Sequence, residues 1–166
     1  MTQNNHITHA IKFGIILGII RVLLDVGIKY FDASAVLFNL SAIIGLFIEF
    51  IVVFLALKIV QKTNPNLTIK DATKISVVML MITSALLYFA INFYHPEYAQ
   101  NKLIVLTKQV QPDQLENILE GIKNTNENPN YIANFATTLV KFIIIGAIIG
   151  FLNGVILTFA NAKKLN

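Results

Sequence analysis

Four long apolar runs alternate along this chain with short clusters of turn-forming and charged residues. They span roughly Ile11–Ile28, Val36–Val60, Ala72–Phe93 and Leu139–Ala160. A helix needs about 20 apolar residues to cross a bilayer, so each run is read as one membrane-spanning helix. The segment KYFDASA joins the first two as a tight antiparallel hairpin, with Asp32 or Ser34 available to cap the second helix. Between the second and third runs, Asn64-Pro65-Asn66 marks a turn, and Thr68-Ile-Lys-Asp71 reads as a capping box.

The segment 94–138 differs in kind. It carries Glu97, Asp113, Glu116, Glu120 and Glu127 against Lys102, Lys108 and Lys123, and reads as a polar outer loop. Within it, Pro112 sits at a first helical position, followed by Leu115, Ile118, Leu119 and Ile122 at amphipathic spacing. That pattern predicts one short helix lying on the outer surface of the bundle or bilayer. The asparagine-rich NTNENPN after it reads as loop. The expected architecture is all-α: one membrane domain over residues 1–166, a bundle of four transmembrane helices with a polar outer loop.

Composition supports lipid as the solvent. The 166 residues are 55% hydrophobic and only 13% charged, where a soluble domain carries about 25% charged residues. The net charge of +4 could suggest nucleic acid, but its lysines cluster at span ends, and no nucleic-acid partner is expected. Lys58, Lys62, Lys70 and Lys74 flank the second-to-third connection, and Lys163 and Lys164 end the chain. By the positive-inside rule both termini and the 61–71 loop face the cytoplasm; Lys141, at the outer start of the fourth span, points the other way. The absence of cysteine excludes disulfides, a cysteine nucleophile and prenyl or palmitoyl anchors. The N-terminal run has no small-x-small cleavage site and holds internal charges, so it is expected to stay in the mature protein.

Three charges inside the spans carry the chemical interest. Arg21 lies in the first span with Asp25 one turn beyond, and Glu49 lies in the second. A charge at the bilayer centre costs roughly 2.5–3.5 kcal/mol on insertion scales, so a partner is expected. Arg21 is roughly 15 Å from the cytoplasmic start of its span and Glu49 roughly 16 Å from the cytoplasmic end of its own, at about 1.5 Å per residue. Equal depth predicts an Arg21–Glu49 pair across the hairpin, with Asp25 as an alternative partner. Asn153 sits slightly to the cytoplasmic side of the middle of the fourth span, and Thr83 and Ser84 near the middle of the third.

Small residues share faces with these charges. Gly14 and Gly18 lie with Arg21 and Asp25, Gly45 with Glu49, and Gly146 and Gly150 with Asn153, with Gly154 extending the last row. Such residues mark close helix approach in membranes. The fourth-span row is expected to meet Gly14 and Gly18 inside the monomer, with dimerisation as the other reading. No metal site is expected: His6 and His9 sit three apart in what reads as a frayed terminus, and His95 reads as part of an aromatic belt with Tyr94 and Tyr98. No nucleophile elbow, zinc-protease, phosphate-loop or dinucleotide motif occurs, and no cofactor is expected.

The full layout resembles a family of small bacterial inner-membrane proteins known only as domain-of-unknown-function family forty-one ninety-nine. The resemblance rests on Gly14 and Gly18, on Asn64 and Asn66 leading into Thr68-Ile-Lys-Asp-Ala-Thr-Lys74, and on Tyr94-His-Pro96-Glu-Tyr98. It continues through the long outer loop to a Gly- and Ile-rich last helix with Gly150 and a Lys163-Lys164 end. Similar proteins often carry an aromatic where Ile69 stands. The likeness implies a four-helix inner-membrane protein and brings no catalytic residue, substrate or cofactor. The expected role is non-enzymatic: an accessory or scaffolding protein in the lipid bilayer, with room for a homo-oligomer or a membrane-protein partner. The alternative is a small transporter or ion- or proton-conducting protein using Arg21, Asp25 and Glu49.

Overall fold

The computed structural model describes residues 2–30, 35–94, 96–127 and 130–162. Every regular element in them is helical. The order is α1 (Thr2–Tyr30), α2 (Ala35–Thr63), α3 (Ile69–Phe89), α4 (Pro96–Val110), α5 (Leu115–Glu127) and α6 (Tyr131–Ala162). A π-helical turn at Ala90–Tyr94 prolongs α3, and a 3₁₀ turn at Pro112–Gln114 leads into α5.

Helices α1, α2, α3 and α6 are long and apolar enough to cross a membrane. They form a four-membered bundle in which α3 packs between α1 and α6, while α2 closes the ring against the same two helices. Large apolar side chains such as Leu23, Phe47, Phe151 and Phe159 cover its outside, and Leu17, Val53, Leu57, Met79 and Leu80 fill its centre. A bundle with so apolar an outer surface suits a hydrocarbon environment; in water such patches drive association.

The helices outrun their apolar runs. α1 begins nine residues before Ile11, so His6 and His9 lie on regular helix rather than in a frayed tail. α6 begins at Tyr131 instead of Leu139, which makes it about 48 Å long at the helical rise. Hydrophobicity sets where lipid can touch a helix, whereas backbone hydrogen bonding continues into any flank without a breaker. The segment 94–138 is likewise not a loop with one short helix. α4 and α5 pack on each other as a hairpin, and α5 runs through Asn124 to Glu127 where loop was expected. Pro112 does occupy the first position of the turn that opens α5. The capping residues Asp32 and Ser34, and His95 with its tyrosine neighbours, lie outside the described residues and side chains.

The start of α3 is held locally. Thr68 is extended, its hydroxyl accepts from the Asp71 N–H at 3.2 Å, and the Asp71 carboxylate accepts from the Thr68 hydroxyl at 2.7 Å and from its N–H at 3.4 Å. Thr68→Ala removes both hydroxyl bonds of this box, leaving only the residue-68 N–H on the Asp71 carboxylate, and should lower thermal stability by about 1 kcal/mol. Circular-dichroism melts in detergent check it, and Lys70→Ala, outside the box, serves as the comparison.

Candidate functional site

The polar interior is built around α1 and α2. Arg21 Nε lies 3.3 Å from Glu49 Oε1, with side-chain exposures of 11% and 2%. The pair therefore lies inside the bundle, linking the two helices at the depth the hairpin geometry requires. Asp25, one turn further along α1, is also buried, and its charge acts on Glu49. Two carboxylates and one guanidinium thus share this part of the interior, and the ion pair joins Arg21 to Glu49.

Gly45, one turn before Glu49 on the same face of α2, seats the guanidinium. A Cβ at position 45 would fall on Arg21 Nη1 and Cζ. Sequence spacing marked Gly45 as a packing glycine, and its i−4 relation to Glu49 was the available sign that it faces a side chain rather than a helix backbone. Gly45→Ala should displace the guanidinium from Glu49 and destabilise the bundle by about 2 kcal/mol, since a buried pair contributes only when its geometry is kept. Chemical unfolding in mixed micelles reads that shift.

Asn153 is fully buried on α6, and its Nδ2 donates to the Phe50 carbonyl at 3.2 Å. It joins α6 to α2 at the residue next to Glu49. The single hydroxyl hydrogen of Thr83 on α3 is shared between the Gly14 carbonyl of α1 at 3.1 Å and the Met79 carbonyl of its own helix at 3.0 Å. Ser41, Ser76 and Ser84 are buried too, Ser84 donating to the Met81 carbonyl at 2.8 Å. Several interior atoms have no direct hydrogen-bond partner: Arg21 Nε and Nη1, Glu49 Oε2, Ser76 Oγ and Asn153 Oδ1, so the Arg21 Nε–Glu49 Oε1 contact is an ion pair without a hydrogen bond. Buried polar atoms are costly when unpaired, so this region is the chemically unsaturated part of the bundle.

The glycines do not meet in the expected way. Gly14 and Gly18 face Met79, Ile82 and Leu86 of α3, whereas Gly146, Gly150 and Gly154 face Val77, Thr73, Ser76, Ala72 and Ile69 of the same helix. Both rows thus press on α3 from two sides instead of on each other. The register also fixes direction: residue numbers rise together along α1 and α3 and run oppositely along α3 and α6. Small-residue spacing names the face that comes close; the partner helix depends on the cyclic order of the bundle.

Sequence reasoning missed a link at the opposite end of α3 from its cap. The Tyr88 hydroxyl donates to the Tyr131 carbonyl at 2.7 Å, and its ring packs at a tilt of 59° against Phe135, with centroids 5.1 Å apart. This contact anchors the first turns of α6, the part that lies beyond its apolar run. The available signal was Tyr88 itself, an amphipathic ring near the end of an apolar run. Among the described residues no group of three or more His, Asp or Glu side chains is placed to hold a metal ion. The chain has no match among protein-family models, curated proteins or solved structures.

Proposed function

We propose that this chain is a non-enzymatic, multi-pass inner-membrane protein of accessory or scaffolding type, with both termini in the cytoplasm. The observation that carries the reading is the Arg21–Glu49 contact between α1 and α2. With Thr83 on Gly14 and Asn153 on Phe50, it directs the interior polar groups toward joining helices. Four apolar helices with an apolar exterior supply the membrane part, and the lysine distribution supplies the orientation. The α4–α5 hairpin is the element most different in character from the bundle, and it is the part offered to a partner on the outer side. Kinship with family forty-one ninety-nine belongs to this same proposal.

The test is affinity capture from native membranes after cross-linking, comparing the wild type, Arg21→Ala and a chain lacking 99–128. An accessory role predicts a defined partner retained by Arg21→Ala and lost with the hairpin. The same set of captured proteins from all three would overturn it. An alkaline-phosphatase fusion at Asn64 should be inactive, and an active one would reverse the orientation.

One observation favours the second reading, proton or ion conduction. Glu49 Oε2 has no direct partner, and a second carboxylate, Asp25, lies within electrostatic reach. In proteoliposomes with an internal pH dye, conduction predicts a flux abolished in the Glu49→Gln, Asp25→Asn chain. Equal signals from that chain, the wild type and empty vesicles end this reading.

A further inference from the structure

Between the first turns of α1 and α3 lies a groove of about 400 Å³. Ala10 and Ile75 form its buried floor, and Ile7 and Val78 its more exposed walls. His6 and Lys74 stand among its lining residues, at the end where both candidate spans begin. Asp71 is the acid present. Its Oδ2 accepts from the Thr68 N–H and hydroxyl, and the charges of Lys74 and His6 act on it. The groove is therefore apolar inward, with Lys74 and His6 as the side-chain donors at its mouth and its carboxylate engaged in capping α3.

We propose that this groove binds one phospholipid with an anionic head group. One of its acyl chains lies along Ile7, Ala10, Ile75 and Val78, and Lys74 and His6 donate to its phosphate. The order of surfaces matches a lipid's own order, head group at the span end and hydrocarbon toward the middle. A lysine that reaches the head-group layer attracts anionic lipid in particular. A soluble anion would leave the apolar floor unused. The inference rests on the membrane placement proposed above, and the two fail separately: a chain that does not insert into vesicles fails that placement, and an inserted chain without lipid preference fails this site.

The test uses the full chain, first inserted into phosphatidylcholine vesicles, then purified in detergent and titrated with dioleoylphosphatidylglycerol or dioleoylphosphatidylcholine under native mass spectrometry. One phosphatidylglycerol should bind about tenfold more tightly than phosphatidylcholine. The preference should vanish in His6→Gln/Lys74→Gln and survive in Lys74→Arg and in Lys62→Gln, whose lysine lies outside the groove. Ile7→Trp, which fills the groove from an exposed position, should weaken both lipids. Equal affinity for the two lipids in the wild type, a preference retained by the double variant, or displacement of the lipid by millimolar inorganic phosphate would each overturn the proposal. All variants should keep the wild-type melting profile, because His6, Ile7 and Lys74 are not core residues.

Discussion

Glu49→Leu should destabilise the bundle by about 3–5 kcal/mol, the range seen when one partner of a buried ion pair is removed. The reason is the partner left behind. Arg21 is 11% exposed and seated over Gly45, and a guanidinium cannot shed its charge by losing a proton. Arg21→Leu should cost less, because a stranded carboxyl group can be neutralised by a proton where a guanidinium cannot. The double variant Arg21→Leu/Glu49→Leu should return to within about 2 kcal/mol of the wild type, since well-packed apolar side chains can replace a buried pair. Unfolding free energies for the four chains in mixed micelles close the cycle. If the two single effects simply summed in the double variant, the residues would be acting independently and the link between α1 and α2 would carry no energy.

Gly150→Leu is the second large effect, and it belongs to a graded series. A Cβ at Gly150 would lie 2.6 Å from Ser76 Cβ, 2.7 Å from Thr73 Cα and 3.0 Å from the Ala72 carbonyl. Two of those three are backbone atoms of α3, which no rotamer change can move aside. Even Gly150→Ala should cost about 1–3 kcal/mol as overpacking, and leucine should force α3 and α6 apart and cost more. At Gly18 the nearest atom is the flexible end of Leu86, 2.6 Å away, so alanine there should cost less than about 1 kcal/mol. At Gly27 nothing lies within 4 Å. Alanine there should stabilise by up to about 1 kcal/mol through helix propensity alone. A series in which Gly27→Ala and Gly150→Ala behaved alike would contradict the packing described for α6 on α3.

The four long helices were legible because their apolar runs have the length that hydrocarbon thickness sets, and that length is visible residue by residue. Their ends were not. Thr2–Ala10 and Tyr131–Thr138 continue α1 and α6 with mixed residues that neither demand lipid nor break a helix. Helix α4 was missed for a related reason: Leu103, Ile104, Val105 and Leu106 run together and give no helical period. The Arg21–Glu49 contact was legible because two buried charges at equal depth on neighbouring helices leave few alternatives. Asp71 and Pro112 were legible because capping boxes and first-turn prolines are local chemistry. The placement of both glycine rows against α3 depends on the order α1–α3–α6–α2 around the ring, which no local spacing encodes. The same ring order brings His6 of α1 beside Lys74 of α3, sixty-eight positions apart in the chain.

On this reading the polar interior joins helices and stays closed to bulk water. Because the chain has no cysteine, each introduced thiol reports alone. Ser76→Cys and Ser84→Cys are nearly isosteric probes at buried positions of α3, and Asn64→Cys is the control in the connection before it. In sealed vesicles, a charged thiol reagent should modify position 64 quickly, and positions 76 and 84 at least about a hundredfold more slowly from either side, as expected where water is excluded. Modification of position 76 or 84 at a rate close to that of position 64 would show a water path through the bundle and contradict the account.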